Sequence, residues 1–260
     1  MTNLLLRCLG ALGLCLLGSN ACAEGIPGDC SQLIVGLAPS WDSMKGELQR
    51  FERTGTGPWR EVSPAVPVLF GKHGLAWGSG LAGQGEPGLH KAERDGRAPA
   101  GIFRIGKIYT YDAQLPPGAD YPFHQVTKAD AWIDDISLPD YNRLVTIPDA
   151  DHPPAWFEKQ KMRHNDFAYR WLVEIRHNSD PPVPGNGSAI FFHIRRGESR
   201  PSAGCTTMAE PNLVKLITWL RADRHPCYAL LPEEAYQHKV GEWHLPKEGT
   251  KKITENRVTR

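Results

Sequence analysis

Short apolar or alternating runs, divided by turn residues, set the character of the chain from position 32 onward. Residues 32–38, 47–53, 66–70, 101–110, 169–177 and 189–194 are alternating or continuously apolar runs between turn signals, as strands are. One segment changes period. Over 211–222, Leu213, Leu216, Ile217 and Leu220 fall on a single helical stripe, with Pro211 acceptable in the first turn. The Gly-rich stretch 71–88 and the segment 181–187 are predicted to be loops on the surface. No repeat, heptad or low-complexity tract interrupts this order. The pattern predicts one mainly β domain over 24–245, with a basic C-terminal tail at 246–260 expected to be solvated.

Composition narrows the class. Gly 26 and Pro 22 are frequent, yet 40% of residues are hydrophobic, which indicates a turn-rich β protein and not disorder. Lys+Arg 30 against Asp+Glu 29 leaves no basic excess, so nothing points to a nucleic-acid footprint and no nucleic-acid partner is expected. Residues 1–23 have the form of a secretion signal: Arg7, an apolar stretch over 9–17 too short to span a bilayer, and Ala21-Cys22-Ala23 as a cleavage site. Ser19 stands three before Cys22, where a lipoprotein signal would carry a large aliphatic. No later run is apolar enough for a transmembrane helix. The mature protein is therefore expected to be exported, to the periplasm or beyond.

Cys8, Cys15 and Cys22 would leave with that signal, so Cys30, Cys205 and Cys227 remain. An odd count in an oxidising compartment implies one pair and one free thiol. Pairing Cys30 with Cys227 spares the cysteine that has a chemical context; the alternative is a Cys205–Cys227 disulfide and no catalysis. That context is Ser202-Ala203-Gly204-Cys205-Thr206, a small-residue turn after the strand-like run that holds His193. A thiol becomes a strong nucleophile when an imidazole takes its proton, and a glycine turn leaves N–H groups free to meet an oxyanion.

These residues resemble the L,D-transpeptidase catalytic-domain family, the cysteine enzymes that remodel peptidoglycan stem peptides. His193 followed by Ser202-x-Gly204-Cys205 carries the likeness. So do the run Arg97-Ala98-Pro99-Ala100-Gly101-Ile102-Phe103-Arg104-Ile105-Gly106, then Trp132-Ile133-Asp134-Asp135, Tyr141-Asn142, His177-Asn178, Gly187-Ser188-Ala189-Ile190-Phe191, Trp219-Leu220 and Leu230-Leu231-Pro232. Three departures stand out. Ala203 replaces a second His found in many members, Thr207 replaces an Arg or Asn, and Ile194 follows His193 where a Gly is common.

The resemblance implies a β-sandwich or open barrel with a few short helices, one of them just after the cysteine turn. It implies no cofactor or metal, and a ping-pong acyl transfer between stem peptides. His193 would hold the Cys205 proton as a thiolate–imidazolium pair at neutral pH, oriented by a backbone carbonyl or by Asp134 or Asp135. N–H groups around Gly204, Cys205 and Thr206 would receive the oxyanion, with Ser202 near the pair or simply forming the turn. Arg195, Arg196 and Arg200 are candidates for a substrate carboxylate, and Trp132, Tyr141 and Trp171 for pocket walls, against readings as solvated loop and core. Water in place of an acceptor amine would give an L,D-carboxypeptidase or a hydrolase that frees wall-attached proteins. A non-catalytic wall-binding protein of the same fold is a further alternative. A zinc site of Cys205, His225, Cys227 and His193 is another, but it lacks the short ligand spacings such sites use.

Overall fold

The computed structural model describes residues 25–247. The signal at 1–23 and the tail beyond 247 lie outside the described residues. The strands are β1 (Gln32–Ala38), β2 (Lys45–Glu52), β3 (Arg60–Glu61), β4 (Val66–Leu69), β5 (Leu75–Trp77), β6 (Ala98–Thr110) and β7 (Phe123–Gln125). They continue with β8 (Asp130–Trp132), β9 (Leu144–Thr146), β10 (Trp171–Ile175), β11 (Phe191–Ile194), β12 (Thr206–Met208) and β13 (Cys227–Pro232). The helices are α1 (Phe157–Gln160), α2 (Glu210–Trp219) and α3 (Glu233–Lys239).

The main sheet runs β1-β13-β6-β10-β11-β12-β4-β2, and β2 pairs back onto β1. The path thus closes into a barrel, the mainly β architecture expected from the sequence. Within the ring, β1–β13 and β11–β12 are parallel, while the other neighbours are antiparallel. All seven residues of β1 are buried, which explains why Gln32–Ala38 is nearly continuous in apolar character and not alternating. Gly36 is required there by close approach: a Cβ would lie 2.5 Å from the Tyr228 hydroxyl.

Helix α2 buries Leu213, Leu216 and Ile217, the stripe read from the sequence, and packs on β11. Each such side chain contributes roughly 1.5–3 kcal/mol of burial. The stretch 71–88 departs from its expected surface course. Leu75, Ala76 and Trp77 are buried and form β5, because the long strand β6 extends past its ring neighbours and its free backbone groups need partners.

A smaller layer lies beside the barrel. The β8–β9 pair and α1 enclose Ala131, Ile133, Ile147 and Phe157. Asp130, fully buried, anchors this layer by accepting from Thr127 N at 2.7 Å, Thr146 Oγ1 at 2.6 Å and His124 Nε2 at 2.9 Å. Burial alone would raise its carboxyl pKa, but these hydrogen bonds hold it below the ordinary value.

Candidate active site

Strand alternation divides β11. Phe192 turns into the barrel, its ring 4.6 Å from that of Tyr228, so Phe191 and His193 turn outward together. Thr206 begins β12 opposite Phe192, and this register sets Cys205 beside Phe191. Cys205 Sγ accepts from Phe191 N at 3.4 Å and faces the Ala189 carbonyl oxygen at 3.5 Å. It lines a cavity of about 170 Å³ shared with Trp132, Asp134, Met162, Tyr169, Ala189 and Phe191. Tyr169 joins cysteine and histidine: it lines that cavity, and its ring meets the His193 ring edge-on at 5.3 Å.

His193 Nδ1 lies 2.9 Å from the Ile194 carbonyl oxygen. Only an N–H can serve there, so Nδ1 carries the proton and Nε2 is the free acceptor. The orienting group is thus a backbone carbonyl and neither Asp134 nor Asp135. Burial lowers the His193 pKa to about 4 and raises that of Cys205 to about 11. Among the described residues no hydrogen bond joins the two side chains. The resting site therefore holds a neutral thiol and a neutral imidazole, which corrects the expectation of a thiolate–imidazolium pair. Burial penalises both charges, and no direct contact compensates them.

The other expected residues divide by position. Ser202 builds the turn: its Oγ accepts from Gly204 N at 3.0 Å and donates to the Cys205 carbonyl at 2.6 Å. That bond commits one of the N–H groups expected for an oxyanion. Thr206 is a core residue whose hydroxyl meets Tyr228 Oη at 3.0 Å across the barrel. Arg196 stands over the Tyr169 ring at 4.7 Å and pairs with Asp166. Arg195 is drawn to Glu198 at 3.6 Å, and Arg200 is exposed in the connecting turn; neither lines the cavity. Trp132 is a wall, but Tyr141 is not. Tyr141 is buried behind the site, its hydroxyl on Glu93, and Trp171 belongs to the barrel core.

Sequence reading missed Asp166 and Tyr169, which meet Arg196 and His193 only through the fold, and it left Asn142 without a role. Asn142 accepts from Trp132 Nε1 at 3.1 Å and Ala189 N at 3.0 Å, and donates to the carbonyls of His177 and Asn178 at 3.0 and 2.7 Å. With every polar valence used, it fixes Ala189 at φ 54°, the left-handed turn that directs the Ala189 carbonyl at Cys205. His177 is structural. It accepts from Ser79 N at 3.1 Å and meets the Asn186 carbonyl at 2.9 Å, and burial lowers its pKa to about 4.

Cys30 and Cys227 lie together at the β1–β13 seam as free thiols, the Cys30 S–H donating to the Gln32 carbonyl at 3.3 Å and that of Cys227 to the His225 carbonyl at 3.7 Å. The neighbouring Cys227, with Arg53 and Arg104, holds the Cys30 thiol below its ordinary pKa. The zinc set is not assembled: Cys227 sits at this seam and His225 is exposed near Asp29, away from the β11–β12 seam. Among the described residues no group of three or more His, Cys, Asp or Glu side chains is placed to hold a metal.

No curated protein and no solved structure matches the chain. A family model of the L,D-transpeptidase catalytic domain (YkuD) matches residues 65–251, a span that includes Trp132, His193, the Ser202–Cys205 turn and every other residue of the cavity. The chain belongs to the L,D-transpeptidase catalytic-domain family.

Proposed function

We propose that this protein is an exported cysteine acyltransferase acting on peptidoglycan stem peptides. The observation that carries the reading is the placement of Cys205 Sγ in a side-chain-lined cavity, with the His193 face of β11 beside it. The free Nε2 of His193 takes the Cys205 proton as the substrate amide displaces water. Sγ then attacks the amide carbon, with the Cys205 N–H facing the oxyanion because that of Gly204 is committed to Ser202. Collapse breaks the C–N bond, the leaving amine takes the proton from His193, and a thioester remains. An acceptor amine attacks that thioester and regenerates the thiol.

Intact-protein mass spectrometry with a carbapenem tests this. One covalent adduct is expected, absent in Cys205→Ala. No adduct on folded protein with a free Cys205 would overturn the reading.

The closeness of Cys30 and Cys227, free thiols in this structure, supports a further part of the reading, that oxidation after export joins them as a disulfide. Non-reducing mass measurement should find 2 Da fewer than the reduced chain, an ordinary cystine difference. The bond closes a very long loop, so stability should rise on the order of 2–4 kcal/mol over Cys30→Ser/Cys227→Ser. Unchanged mass after aerobic export would exclude it.

A further inference from the structure

Lys91 is a cation that no sequence motif marked, and its side chain is only 3% exposed. Its stem passes between two glycines. A Cβ on Gly187 would lie 2.9 Å from Lys91 Cγ, and a Cβ on Gly204 would lie 3.7 Å from Lys91 Cε. Gly187 leads into the Ser188-Ala189 segment that presents its carbonyl to Cys205, and Gly204 is the residue directly before the cysteine. The end of the lysine therefore lies beneath the backbone that holds Sγ.

Lys91 Nζ donates to the Ala92 carbonyl at 2.7 Å and to Asp95 Oδ1 at 2.5 Å. Asp95 also accepts from Ala92 N and Arg97 N, both at 2.9 Å. Neighbouring Glu93 is turned elsewhere, accepting from Ser188 Oγ at 2.7 Å and from Tyr141. A buried ion pair adds little stability over apolar residues of the same volume. Fold stability alone gives no reason for a charge behind the Gly-Cys turn.

We propose that Lys91 is a positioning residue of the active site, the buried ammonium that stabilises the Cys205 thiolate as it forms, with Asp95 holding it in place. The proposal deepens the acyl-transfer reading by naming where the thiolate finds its charge partner. The site needs one, because His193 does not touch the sulfur at rest. Burial pushes the thiol up, and the Phe191 N–H, Lys91 and Arg196 oppose that rise. Arg196, paired with Asp166 as Lys91 is with Asp95, stands over the Tyr169 ring, whereas Lys91 lies against the Gly187 and Gly204 backbone. The remaining charged or titratable groups around the cavity are Asp134, Lys159, Lys161, His164 and Tyr169, with His193 on β11 and His177 behind Lys91.

The test is the pH profile of Cys205 alkylation by iodoacetamide, read by peptide mapping from pH 6 to 11. Lys91→Met should move the profile up by about one pH unit, a roughly tenfold slower rate at fixed pH. Asp95→Asn should move it down by a similar amount, Lys91→Arg should leave it in place, and the double variant K91M/D95N should return close to the parent. A merely structural role predicts something else: loosening the turn admits water and moves both single variants downward together. A shift in the same direction for both, or none in either, would overturn the proposal. If Lys91→Met fails to fold, Lys91→Gln is read in its place, and a profile unmoved or lowered in it counts against the proposal. Iodoacetamide requires only a thiolate, so these shifts stand even if the carbapenem forms no adduct.

Discussion

Alkylation of Cys205 in the resting protein is expected to be slow at pH 7 and to climb about tenfold per pH unit toward pH 10. With its thiol raised to about 11 by burial, roughly one molecule in ten thousand carries the thiolate at neutral pH. His193 is neutral throughout that range and makes no hydrogen bond to the sulfur. His193→Gln should therefore leave the alkylation profile almost unchanged while slowing carbapenem acylation on the order of 10²–10⁴-fold, the span of a lost general base. The contrast between the two reagents is the informative part. Iodoacetamide samples the thiolate already present, whereas acylation needs the proton moved within the complex. A flat, fast plateau between pH 5 and 7 that disappears in His193→Gln would mean that the ion pair exists at rest.

Acid should destabilise the fold well before its carboxylates are protonated. Both His177 and His193 are buried neutral, with folded pKa values of about 4 against 6.5 for the free side chain. The unfolded chain therefore binds more protons than the folded one between those values. The contribution is fully present above pH 6.5 and is lost as pH falls toward 4, at about 1.4 kcal/mol per unit for each histidine. Together they should remove roughly 3–6 kcal/mol by pH 4. Glu174 works in the opposite sense: burial raises its pKa, so it offsets part of the loss at the acid end. Urea unfolding at pH 7.5 and pH 5 measures the effect. His177→Gln, which retains a donor for Asn186 and an acceptor for Ser79, should reduce the slope by about half. Equal stability at the two pH values would show that neither imidazole is held neutral.

Whether a residue could be read from sequence depended on whether its environment is local. The strand Gln32–Ala38 and the stripe Leu213, Leu216, Ile217 announce themselves because burial imprints a continuous apolar run on the one and a helical period on the other. Cys205 and His193 were legible as chemistry because a glycine turn and a strand flank them. Their protonation was not, since pairing two side chains on paper omits the burial that keeps both neutral. Tyr141 and Arg200 had the right residue types, but the fold points one into the interior and leaves the other in solvent. The charges Lys91, Glu93 and Asp95 resemble a solvated loop. Only the passage of the Lys91 side chain beneath Gly187 and Gly204, about a hundred positions later, removes that charge from water.

The parallel seam between β1 and β13 joins Leu33 to Cys227 and Ala38 to Pro232. The first stave of the barrel therefore waits for the last. Until residues 227–232 have been delivered, β1 and β6 each present an unsatisfied edge, and no shorter piece of the chain can complete the ring. Closure is a late event in the life of the chain, and a copy still lacking residues 227–232 has no complete barrel to carry the β11–β12 seam.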